Sequence, residues 1–116
     1  MAYHSFEHLD VWKRSCDLAV DIYAKLKCCR EYGLKDQMTR SAVSIPSNIA
    51  EGAERNSKPD FVRFLHIAKG SAAELRTQVY IAHQIGLLSE QTTEDLVNEL
   101  LEIASMLQGL IRYNTL

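Results

Sequence analysis

Four stretches of the chain repeat apolar residues at intervals of three and four, with short polar or glycine-bearing breaks between them. Across about residues 7–29, Leu9, Trp12, Cys16, Ala19, Tyr23 and Leu26 step alternately by three and four, the spacing of a bundle seam. Val11, Leu18 and Ile22 form a second stripe beside it. Tyr32-Gly33 interrupts the pattern, and Gly33 is free to take the left-handed conformation that ends a helix. A second helix is expected over about residues 34–54, with Met38, Ala42, Ile45, Ile49 and Ala53 on its apolar side. Ser57 followed by Asp60 predicts the start of a third, over about residues 58–85. Its seam is Phe61, Leu65, Ala68, Ala72, Leu75, Val79 and Ala82, and Gly86 closes it. The fourth, about residues 91–113, begins near Ser89 or Thr92 and carries Leu96, Leu100, Ile103, Leu107 and Leu110. Helices joined by short connections pack antiparallel, so the pattern predicts an all-α, antiparallel up-down-up-down four-helix bundle in one domain over residues 1–116.

The second helix has the most unusual polar side. At about 100° per residue, Arg40, Ser44, Ser47, Asn48, Glu51 and Arg55 gather opposite its apolar face. An ordinary solvated face is filled with long, strongly helix-forming Lys, Glu and Gln. Here the residues are short and hydrogen-bonding, which points to close packing against another helix, a second subunit or a ligand. Pro46 cannot donate to the Ala42 carbonyl, at a cost of ~3 kcal/mol, and bends the helix; Ser47, Asn48 or a water is expected at the freed carbonyl, and Gly52, Asn56 and Ser57 end the segment. In the third helix, Gly70-Ser71-Ala72-Ala73 puts four small residues together, the mark of a helix crossing point. Glu74 beside them is a natural partner for Arg40 or Arg55. Arg40, Ser44, Ser47, Asn48, Glu51, Gly70, Ser71 and Glu74 therefore form a candidate assembly or ligand seam.

Composition adds boundaries rather than chemistry. The 116 residues are 47% hydrophobic and 24% charged, ordinary values for a globular protein. No apolar run approaches the ~20 residues that cross a bilayer, and the first residues lack the basic and apolar segments of a signal peptide. A cytoplasmic protein without membrane contact is the expectation. The net charge of −2 gives no global attraction to nucleic acid. Charge is unevenly spread: residues 87–116 hold five acidic residues against Arg112 alone, leaving twelve basic and ten acidic over residues 1–86. An anion-binding surface is thus expected on the first three helices, through Lys13, Arg14, Arg55, Lys58, Arg63, Lys69 and Arg76.

Catalytic and metal chemistry finds little support. His66 and His83 are seventeen residues apart on one helix, ~25 Å in rise, and cannot share a site. A di-iron bundle needs paired Glu-x-x-His motifs, and none occurs. Cys16, Cys28 and Cys29 are too few and too unevenly spaced for a zinc site or a disulfide framework. No Ser/His/Asp constellation or phosphate loop stands out. A non-enzyme with no metal and no cofactor is expected.

Ser44-Ile45-Pro46-Ser47-Asn48-Ile49-Ala50-Glu51-Gly52 followed by Arg55, with Ala68, Gly70, Ser71, Glu74 and Leu75, and the opening Phe6-x-x-Leu9-x-Val11-Trp12, carries a family resemblance. The chain resembles the four-helix-bundle proteins encoded in intervening sequences of bacterial 23S rRNA genes, also called S23 ribosomal proteins. Lys69 stands where that family often has Arg. The resemblance implies a homopentamer arranged as a barrel around a central channel. It also implies relatedness to the accessory variability protein of diversity-generating retroelements, which binds a reverse transcriptase and nucleic acid through a basic surface. The expected function is a non-catalytic oligomeric binding or scaffold protein that contacts RNA or a ribonucleoprotein. The alternative is a protein–protein adaptor that docks a partner enzyme such as a reverse transcriptase without touching nucleic acid.

Overall fold

The computed structural model describes residues 6–116. A short 3-10 turn, Phe6–His8, precedes four α-helices: α1 (Asp10–Lys25), α2 (Tyr32–Glu54), α3 (Lys58–Gln84) and α4 (Glu90–Asn114). Each helix packs against its neighbours in the chain, α1 closes the square against α4, and no Cα atoms of the diagonal pairs come within 8 Å. This is an all-α four-helix bundle, as the periodicity predicts.

The helix ends follow from local chemistry. Ser57 Oγ accepts from the Asp60 N–H at 3.3 Å, and Ser89 Oγ accepts from the Thr92 N–H at 3.1 Å, so both are N-caps that satisfy an otherwise orphaned donor. Gly86, at φ +85°, turns the chain after α3. The Leu87 N–H reaches back to the Ala82 carbonyl at 2.8 Å and the Gly86 N–H to that of His83 at 3.0 Å, the paired bonds of a Schellman ending. The first break differs from expectation. Helix α1 stops at Lys25, and Gly33 lies inside the first turn of α2 without a positive φ. Leu26, almost fully buried, anchors the connection, and Lys35 Nζ donates to the Lys27 carbonyl at 3.3 Å. Gly52 is likewise not a terminator: α2 runs through it to Glu54.

The core is built from Ile22 of α1, Leu26 just beyond its end, Met38, Ile45 and Ile49 of α2, Leu65, Leu75 and Val79 of α3, and Leu100, Ile103 and Leu107 of α4. On α1 both expected stripes reach the core: Ala19, and Leu26 just beyond the helix end, are buried along with the second stripe. Val11, Ser15, Leu18 and Ile22 point inward, while Trp12 and Cys16 are half-buried and Tyr23 is exposed. The two stripes have the same helical period and differ only by a rotation of one residue, about 100°. Ser15 is tolerated at full burial because its hydroxyl donates to the Val11 carbonyl at 2.6 Å, leaving no polar group unsatisfied. Helix α2 continues unbroken through the buried Pro46.

Candidate functional site

The short polar side of α2 divides between two neighbours. Towards α3, the Ser44 and Ser71 hydroxyls meet at 2.8 Å, and Asn48 Nδ2 donates to the Ser44 carbonyl at 2.8 Å and to its Oγ at 2.9 Å. The Asn48 amide therefore serves Ser44, not the Ala42 carbonyl vacated by Pro46. One turn further, a Cβ placed on Gly52 would lie 2.5 Å from the Phe64 Cβ and 3.2 Å from Phe61 Cδ1. Gly52 is thus the close-approach residue of this pair of helices. Gly70, expected to mark the crossing, is exposed with open space around it; the buried small residues on α3 are Ala68, Ser71 and Ala72.

The charged members of the expected seam pair along α2 itself. Arg40 Nε donates to Asp36 at 3.0 Å, and Arg55 lies 3.7 Å from Glu51. Glu74 pairs with neither arginine; with Gln37, Arg40, Ser41 and Ser44 it lines a shallow depression of about 250 Å³. Gln78 belongs to the same side of α3 and was not singled out by the sequence. It is buried, and its Oε1 has no hydrogen-bond partner among the described residues. Only its place seven residues after Ser71 hinted at this.

Towards α1, the same helix presents something different. Val43, Pro46, Ser47 and Ala50 line an open groove of about 430 Å³ with Phe6, Trp12, Cys16, Ala19 and Val20. Ser47, expected in the polar seam, sits on this apolar side. Val20 is 69% exposed and Val43 42%, so the groove continues into an uncovered apolar strip. The Cys16 thiol in its wall is pushed up from the usual thiol range by burial first and the Asp17 charge second, which suits a packing role rather than a nucleophile.

The seven basic residues nominated from the sequence do not form one surface. Arg14 is committed within the fold: it bridges α1 to α4 with a forked ion pair to Glu99, 2.5 Å and 3.0 Å, and a further bond to Glu102 at 3.3 Å. These carboxylates hold its guanidinium well above its ordinary pKa. Its charge is matched by two carboxylates. Lys69 Nζ donates to Gln108 Oε1 at 2.6 Å, and with Arg76 it flanks a small depression between α3 and α4. Lys13 is exposed.

Arg55, Lys58 and Arg63 converge at the α2–α3 turn. The guanidiniums of Arg55 and Arg63 stand 5.0 Å and 4.5 Å from the centre of the same Phe64 ring, within cation–π range. Arg63 also lies 3.9 Å from Asp60. Beside them opens a cavity of about 490 Å³ lined by Phe6, His8, Leu9, Ala53, Arg55, Asn56, Ser57, Lys58 and Phe61. The phenylalanines were missed as site residues because their spacing marks them equally well as core. The interleaving of Lys58, Phe61, Arg63 and Phe64 was the available signal.

Among the described residues, no group of three or more His, Cys, Asp or Glu side chains could hold a metal ion. None of the described helices is long and apolar enough to cross a membrane. The fold and these surfaces define a small four-helix-bundle protein with an apolar groove and a basic, aromatic end. Residues 7–109 match the profile of the 23S rRNA-intervening sequence proteins, and the chain belongs to that family. A crystal structure of a protein of unknown function from the S23 ribosomal protein family of Bacteroides thetaiotaomicron has the same fold. It aligns with a TM-score of 0.82 at 28% identity, over 87% of this chain and 97% of that one. No curated protein matches the chain.

Proposed function

We propose that this protein is a non-catalytic scaffold that self-associates, as a pentameric ring, and presents its basic end to RNA or to an RNA-bearing protein. The observation that carries the reading is the uncovered apolar groove between α1 and α2. Trp12, Cys16, Val20, Val43 and Ala50 belong to this strip, and contiguous exposed apolar surface of this kind favours contact with another protein surface. A second copy of the chain would remove it from water. Oligomerisation would also repeat the Arg55, Lys58 and Arg63 cluster around the ring, adding affinity through multivalency.

Light scattering after size exclusion tests the assembly. The expected mass is five times the 13.2 kDa of one chain; a single monomeric species at micromolar concentration would refute it. The RNA part is tested by binding a structured RNA across salt concentrations, since phosphate contacts weaken steeply as salt rises. Absence of binding at low salt would sink that part.

An adaptor that docks a partner enzyme such as a reverse transcriptase, without touching nucleic acid, is the second reading. Tyr80, Ile81 and Ile85 favour it. They form an exposed apolar group near the C-terminal end of α3, roughly 35–40 Å of helix from the basic end. Pull-down with and without nuclease separates the two readings, because a partner bridged by RNA is lost on nuclease treatment.

A further inference from the structure

We infer that the cavity at the α2–α3 turn is a binding site for one nucleotide of single-stranded RNA, with the base against Phe61 and Phe6 and the phosphate against Arg55 and Lys58. The inference rests on the RNA-contact reading above and assigns it a place and a substrate class. The cavity, about 490 Å³, falls in the size range of small-ligand clefts. Its described lining residues include two phenylalanines and two basic side chains, Arg55 and Lys58, but no carboxylate. In a chain of net charge −2, a wall of this kind singles out an anionic ligand with an apolar, flat part.

The neighbouring cations strengthen the assignment. Phe64 holds both Arg55 and Arg63 to one ring, which gathers like charges at the rim of the cavity. Their carboxylate partners, Glu51 at 3.7 Å and Asp60 at 3.9 Å, form long, solvent-screened ion pairs, so each guanidinium keeps donors for a phosphate oxygen. The turn between them supplies the groups that read a base edge. Asn56 offers an amide, and Ser57, whose oxygen already accepts from the Asp60 N–H, retains a hydroxyl proton to donate.

A duplex hides its bases in the stack, whereas single strands can splay a base onto an aromatic side chain. The cavity therefore selects single strands over duplexes. When a strand longer than the one bound nucleotide lays a phosphate against each of the three rim cations, the logarithm of affinity should fall with the logarithm of salt at a slope of about −2, from roughly 0.7 per phosphate contact in single strands.

Trp12, the chain's one tryptophan, reports on the site. Its ring centroid is 5.1 Å from that of Phe6 in the cavity wall, so its fluorescence should change as a uridylate hexamer is titrated into the full chain. Phe61→Leu should weaken binding about tenfold to a hundredfold, the usual contribution of one stacked base. Lys58→Gln, at an exposed position where folding is not at stake, should reduce the salt slope by about 0.7. Far-UV circular dichroism checks that both variants remain folded. Inorganic tripolyphosphate binding as tightly as the hexamer, or a short RNA duplex competing equally well, would overturn the assignment. If a structured RNA binds and the hexamer does not, the nucleotide site fails while the RNA-contacting scaffold stands. If neither binds, both fall.

Discussion

Towards α3, helix α2 presents Ser44, Asn48 and Gly52; towards α1 it presents Val43, Pro46, Ser47 and Ala50. The first flank is polar and closed, with its hydroxyls and amide satisfied inside the chain and its glycine pressed against Phe64. The second flank is apolar and open, meeting Trp12, Cys16 and Val20 across an unfilled groove. Polarity alone thus points the wrong way. The flank that looks adapted to a ligand is occupied by hydrogen bonds within the fold, and the flank that looks like ordinary core retains surface to be covered. The cause is geometric. Gly52 against Phe64 and the Ser44–Ser71 hydroxyl pair bring α2 and α3 into direct contact, whereas Val43, Pro46, Ser47 and Ala50 meet α1 across an open groove.

The comparison can be broken most severely at Gly52. Gly52→Leu drives a side chain into Phe64 and Phe61 and should destabilise the chain by about 3 kcal/mol, the upper part of the range for overpacking, read from urea denaturation. A loss below 1 kcal/mol would show that the two helices can separate at little cost. Ser44→Ala and Ser71→Ala should each cost about 1 kcal/mol. The double variant should cost less than the two added together, because each single change already removes the same bond; strict additivity would mean that the hydroxyls do not interact. Gly70→Ala, next to Ser71 but in open space, should stabilise α3 by about 0.5–1 kcal/mol through helix propensity. A loss instead would place that exposed position against another subunit. Val43→Glu on the open flank should change monomer stability by no more than about 0.5 kcal/mol, yet lower the mass seen by light scattering. Unchanged mass would remove the α1–α2 groove from the assembly interface.

Particular residues show how far the sequence could be read. The seams of α2, α3 and α4 are legible because one apolar stripe dominates each helix and period 3.6 places it without ambiguity. Ser57, Ser89 and Gly86 are legible because capping and positive φ are local requirements met by few residue types. Helix α1 is not, since two stripes compete and only the neighbouring helices choose between them. Arg14 could not be distinguished from Arg55 as a free cation, because Glu99 and Glu102, its partners, lie some eighty-five residues away. The basic end was present in the sequence only as separate residues; the turn after α2 brings Arg55, Lys58 and Arg63 to one place beside Phe6 and Phe61.

By itself, then, the order of residues determined the number of helices, the caps around α3 and at the start of α4, and the inward face of three helices, since each depends on contacts within a few turns of chain. It also carried the motifs that mark the family. Only the tertiary structure decided which face of α1 is buried, that Gly52 rather than Gly70 is the point of closest approach, and that Arg14 is locked to carboxylates of another helix. Those outcomes depend on residues distant in sequence becoming neighbours, and a local period holds no information about what stands across the gap.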